Sequence, residues 1–152
     1  MCLVLLIAAA CPLPAAPIDP EHRRIAVIDL RTPEAAHLAR WMTLPYAYDV
    51  TSRYGCACAL QTSPEDAGRL LRGEGTDEEL QSIRETLEDL QRVADLVAIG
   101  LAAGLVELFT YWEADRQQVE IESRRTVTLA ELRTPGFGLV ERQMLTVVAD
   151  RR

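Results

Sequence analysis

From Leu80 to Leu101 the apolar residues recur three and four positions apart: Leu80, Ile83, Leu87, Leu90, Ala94, Val97 and Leu101. Only a helix gathers such positions on one side, and Val93 and Leu96 widen the seam into a face, so the spacing predicts a helix of about 20 to 25 residues. Thr76-Asp77-Glu78-Glu79 stands just before it and reads as a capping box. A helix with one apolar face needs a cover. A second copy would cover it in a coiled coil, which makes a homo-oligomer possible; without sustained charges flanking the seam, a sheet of the same domain is the expected cover. Seven acids lie between Glu74 and Asp89. They crowd the N-terminal part of the helix, where its dipole favours them, and read as a solvated face.

The strands for that sheet flank the helix in sequence. Cys2 to Ala10 opens the chain as a continuous apolar run, the pattern of a strand buried on both faces. An export signal is the competing interpretation, but no Lys or Arg precedes the run. Pro12, Pro14, Pro17 and Pro20 then enforce an extended connector. Ile25 to Leu30 predicts a second strand. Thr32-Pro33-Glu34 predicts a helix reaching about Met42. Tyr46, Tyr48 and Val50 alternate as in a strand, Cys56 to Leu60 suggests another, and Gly55 marks a turn between them. Ser63-Pro64-Glu65-Asp66 opens a short helix to about Leu71, stopped by Gly73 and Gly75. After the long helix, ended by Gly100 and Gly104, Leu105 to Glu113 reads as a strand. It has Glu107, Phe109, Tyr111 and Glu113 on one side and Val106, Leu108, Thr110 and Trp112 on the other. Val119 to Thr128 looks like its hairpin partner, Pro135-Gly136 is a turn, and Met144 to Val148 is the last strand.

Strands, then helices, then strands, with no glycine-rich turn from strand to helix, predict an α+β fold. A mainly antiparallel or mixed sheet carries one long and two shorter helices, and 152 residues suit one domain. All sixteen basic residues are Arg, and Lys and Asn are absent. That usage fits a GC-rich, bacterial coding sequence. The net charge of −7 removes the electrostatic basis for nucleic-acid binding. No uninterrupted apolar stretch is long enough for a membrane span, and a cytoplasmic location is expected. Phosphate loops, dinucleotide fingerprints and nucleophile elbows are absent.

Chemistry is left to sulfur. Cys2, Cys11, Cys56 and Cys58 are the four cysteines, and two of them form Gly55-Cys56-Ala57-Cys58. In a reducing compartment such thiols serve metals or catalysis more often than structural disulfides. Three interpretations stand side by side: small buried hydrophobes, a redox or nucleophilic thiol site, and a zinc site formed when Cys2 and Cys11 face Cys56 and Cys58. A site on the Cys56-Ala57-Cys58 loop would have Tyr46, Tyr48 and Tyr54 around it. Of the four sulfurs, Cys2, Cys56 and Cys58 are expected in one neighbourhood. Cys11, followed by the Pro-rich connector, is the expected outlier. A non-catalytic interaction protein is the alternative to any thiol site.

Met1-Cys2 resembles the start of amidotransferases of the N-terminal nucleophile type, over these two residues. The resemblance implies that Cys2, once Met1 is removed, would be the nucleophile. His22 falls in the connector and His37 in the first expected helix, where a solvated histidine is the ordinary outcome. Glu107, Glu113 and Asp115 would form a carboxylate cluster only if they converged.

Overall fold

A computed structural model describes residues 2–19, 21–115 and 117–151, and of Asp115 the backbone alone. It is an α+β fold on one mixed sheet of six strands: β1 (Leu3–Ala9), β2 (Ala26–Asp29), β3 (Tyr46–Thr51), β4 (Val106–Trp112), β5 (Ser123–Thr128) and β6 (Gln143–Val148). They lie in the order β2-β3-β1-β4-β6-β5, and every pair is antiparallel except β5 with β6. The helices are α1 (Pro64–Arg72), α2 (Asp77–Leu101) and α3 (Leu129–Leu132). All three open on a capping box, at Ser63, Thr76 and Thr128, in which the cap hydroxyl and the carboxylate three residues on satisfy each other's backbone donors.

Strand β1 is the axis of the sheet. It pairs β3 on one edge and β4 on the other, and its side chains feed two cores. Leu3, Leu5, Ile7 and Ala9 join α2's Val93, Ala94, Leu96 and Val97, while Leu6 and Ala8 join Phe109, Tyr111 and Met144 on the opposite face. The alternation read for β4 holds: Val106 and Leu108 face the helices, Phe109 and Tyr111 the other side.

The opposite face is covered by irregular chain, and here the expected helix from Thr32 to Met42 does not form. One 3-10 turn, Ala36–Ala39, takes its place. Ala35, Leu38, Ala39, Trp41, Met42 and Leu44 all pack onto the sheet, and an α-helix would turn part of that set to solvent. Trp41 packs at a tilt against Phe109 and Tyr111, at 5.6 and 4.7 Å between ring centroids, and its Nε1–H donates to Val119 O at 3.0 Å. Glu107, buried on this face, accepts from the Thr43 and Leu44 amides and the Thr43 hydroxyl.

Two strand expectations are corrected as well. Cys56 to Leu60 is a 3-10 helix (Ala57–Leu60) because Ala57 and Leu60, three apart, are the two residues it buries. Val119 to Thr128 is not the hairpin partner of β4. That place belongs to β6, whose Met144, Leu145 and Val147 are buried; β5, exposed at Ser123, Arg124, Arg125 and Thr126, lies beyond it as an edge. Val119 instead turns into the second core.

Along α2 only the C-terminal half is deeply buried; Leu87 and Leu90 are half-exposed. Gly100 lies inside the helix and does not stop it. A Cβ there would meet Val106 Cγ2 at 2.7 Å and Ala9 Cβ at 3.1 Å, so glycine lets α2 close onto the ends of β1 and β4.

Leu96→Ala is expected to cost about 2 to 5 kcal/mol in urea unfolding, with Leu87→Ala and Leu90→Ala below that range. Gly100→Ala is expected to destabilise by about 1 to 3 kcal/mol from overpacking, although alanine is the better helix former. An unchanged or raised urea midpoint for Gly100→Ala would mean that α2 does not need this close approach.

Candidate functional site: a three-cysteine cluster

Leu3 begins β1 opposite Trp112 of β4, which sets Cys2 at the mouth of the sheet, where its carbonyl accepts from the Glu113 amide at 2.9 Å. Beside it, the chain leaving β3 turns sharply. Gly55 takes a positive φ of 76° and donates its amide to Ser52 O at 2.9 Å. Ser52, itself buried, donates its hydroxyl to Cys56 O at 2.7 Å and accepts from the Tyr54 amide at 3.2 Å. The turn thus delivers Cys56 and Cys58 to the start of β1.

Ligand atoms of Cys2, Cys56 and Cys58 lie within 4.8 Å of one another. The Cys56 and Cys58 sulfurs are 2.7 Å apart. Each of these two also receives a backbone amide: Cys58 N–H donates to Cys56 Sγ at 3.3 Å and Leu3 N–H to Cys58 Sγ at 3.1 Å. The sulfurs share a side, with Ala57 buried between them, because Cys56 caps a 3-10 turn. Cys2 is exposed, Cys56 and Cys58 are half-buried, and Cys58 packs against the helix-side core. Cys2 is therefore no buried hydrophobe.

Cys11 stands apart. Its thiol is 4.0 Å from Gly100 O, past the far end of β1. Seven strand residues at about 3.3 Å each put roughly 20 Å between the two ends, so Cys11 does not complete a four-thiolate site. Tyr46 pairs with Ala9 at that same far end, and Tyr48 is buried in the core with its hydroxyl accepting from the Leu13 amide at 2.9 Å. Only Tyr54 belongs to the thiol loop. Glu107 and Glu113 do not converge: Glu107 anchors residues 43 and 44, and Glu113 lies six residues further along the chain at the mouth of the sheet. The Asp115 side chain is outside the described residues, as is Met1. His37 is exposed on its 3-10 turn, and exposed His22 pairs with Asp19.

One buried acid holds the thiol loop. Asp89 continues the buried face of α2 (Asp89, Val93, Leu96, Gly100) and is 1 % exposed. It accepts the Arg53 amide at 3.0 Å and the Arg53 guanidinium at 2.9 Å, and Arg92 at 3.0 Å. Arg53 also reaches Glu88 and the Glu85 carbonyl. Bonding to Asp89 raises its pKa, so it stays charged. Tyr54 donates to Glu85, which lowers the Glu85 carboxyl below its usual value and raises the Tyr54 phenol. Asp89 is thus no part of a solvated acidic face. Its sequence signal is an acid at the four- and seven-residue spacing of the apolar face.

Comparison of the chain with protein-family models, curated proteins and solved structures finds no match. Among the described residues no helix is long and apolar enough to cross a membrane.

Asp89→Ala takes away the buried partner of the Arg53 amide and guanidinium and leaves Arg53 only Glu88 and Glu85, and it is expected to cost about 1 to 3 kcal/mol, as leaving buried donors unsatisfied does. Cys56 and Cys58 should then react faster with N-ethylmaleimide than in the parent. A loss under about 1 kcal/mol would show that the pair is as weak as a surface one.

Proposed function

We propose that this domain binds a zinc ion through the thiolates of Cys2, Cys56 and Cys58, leaving a fourth position for water or an added ligand. The observation that carries this reading is the gathering of three sulfurs from two distant stretches of chain within 4.8 Å. Thiolates are soft donors that select zinc and Cu(I) over magnesium or calcium, and three protein ligands with an open place is the usual set of a zinc site that handles an exogenous ligand. Zinc bound to sulfur at about 2.3 Å in tetrahedral geometry sets its sulfurs about 3.8 Å apart. Cys56 and Cys58 at 2.7 Å must open by about 1 Å, a rotation of two half-buried side chains. The amides of Leu3 and Cys58 on the two sulfurs supply the hydrogen bonds that orient metal ligands and spread their negative charge.

The test is titration of the reduced chain with Zn²⁺ against a chromophoric chelator, with Co²⁺ as the spectroscopic probe. One ion per chain and a sulfur-to-cobalt charge-transfer band are expected. Cys2→Ser, Cys56→Ser and Cys58→Ser should each weaken binding by more than about 100-fold, beyond what loss of an outer hydrogen-bond partner causes, and Cys11→Ser should leave it unchanged. Full retention of affinity in Cys2→Ser would overturn the three-thiolate reading.

A further inference from the structure

We infer that Cys56 and Cys58 form a redox couple whose closure to a disulfide expels the ion, making metal occupancy answer to small-molecule disulfides. The inference rests on the zinc reading and concerns what the same sulfurs do when an oxidant arrives.

The geometry supports both states of the pair. At 2.7 Å the two sulfurs stand between the roughly 3.8 Å of a zinc-bound pair and the roughly 2.05 Å of a disulfide, and they lie nearer the second. The approach is built into the loop, because the Cys58 amide bonds Cys56 Sγ and holds the thiols on one side of Ala57. Leu3 N–H fixes Cys58 Sγ from the neighbouring strand. A ring closed across a single residue is constrained, and strained or exposed disulfides are the readily reduced, regulatory kind. Cys2 reaches the cluster from another element and is left over as a lone thiolate, too few ligands to keep zinc.

The chemistry balances with a low-molecular-weight disulfide as the oxidant. The thiolate of one cysteine of the pair attacks a sulfur of the incoming disulfide; a protein mixed disulfide forms, the oxidant's S–S bond breaks and one small thiolate leaves. The second cysteine attacks the protein sulfur of that mixed disulfide, forming the Cys56–Cys58 bond and releasing the second small thiolate. Two electrons pass from the pair to the oxidant. Zinc departs with its charge unchanged, and the freed thiolates take protons from water as the pH dictates.

The experiment uses the full chain loaded with one zinc, treated with oxidised glutathione. Release is read with a zinc indicator, and disulfides are mapped by mass spectrometry after blocking free thiols. Stoichiometric release with a loss of two hydrogens mapped to Cys56 and Cys58 is expected, and dithiothreitol should restore binding. The same disulfide is expected in the metal-free chain and in Cys2→Ser, while the double variants Cys2→Ser/Cys56→Ser and Cys2→Ser/Cys58→Ser, with no neighbouring thiol in the cluster, stop at the mixed disulfide; circular dichroism checks that each variant is folded. A chain that binds zinc and keeps it after treatment overturns the inference while leaving the zinc reading intact. So does a disulfide that uses Cys2. A reduced chain that binds no zinc overturns both, and the disulfide mapped in the metal-free protein then shows whether the pair itself is redox active.

Discussion

The backbone of β1 is hydrogen-bonded along both edges and buried on both faces, and the rest of the molecule is arranged to make that possible. Water reaches none of Leu5, Leu6, Ile7, Ala8 or Ala9. A strand so enclosed needs a neighbour on each side and a cover on each face. Strands β3 and β4 supply the first; α2 and the irregular segment anchored by Trp41 and Glu107 supply the second. Its two ends then meet different demands. At one, Gly100 gives up a side chain so that the helix can close down. At the other, the pairing with β3 has ended before Leu3, and the Leu3 amide turns to a sulfur.

That sulfur belongs to a loop held by charge as well as by the burial of Ala57 and Leu60. Asp89 is carried on the buried face of a helix, where an isolated carboxylate is costly, and is made tolerable by the Arg53 amide, the Arg53 guanidinium and Arg92 together. The acid is specific about its partners: only a chain folded back after β3 places Arg53 there. The same contact that satisfies the acid therefore sets the position of Cys56 and Cys58, three and five residues on.

Periodic elements were legible in the sequence. Strand β1, the long helix, the cap at Ser63 and the faces of β4 follow from repeat spacing and from local cap chemistry, both of which are properties of neighbouring residues. The trio of Cys2, Cys56 and Cys58 was legible to the extent that an extended apolar strand and a turn at Gly55 make a meeting possible, and Cys11 stands apart as the Pro-rich connector suggested. Illegible elements were those decided by distant partners. Pro33 to Met42 carries a good helix start, yet its apolar residues are all needed against Phe109 and Tyr111. Val119 to Thr128 alternates well enough for a hairpin, but β6 is the more apolar neighbour for β4. Glu107 looks like any other acid until Thr43 is beside it, and Asp89 is marked only by its place on the apolar spacing of α2 until Arg53 meets it.

The position of β1 also has a kinetic meaning. Strand β1 waits longest for its second neighbour, because β4 begins about a hundred residues later. Contacts of such sequence separation are slow to find and must pay for closing a long loop before they are rewarded. Until residue 112 has emerged, LVLLIAA is an apolar, uncharged strand with one edge unpaired, the kind of segment that adds to other chains. The early partner is β3, and β2 with the Ala16 bridge on its outer side builds a small sheet from the first third of the chain alone. That provisional sheet shelters one flank of β1 during the wait for the other.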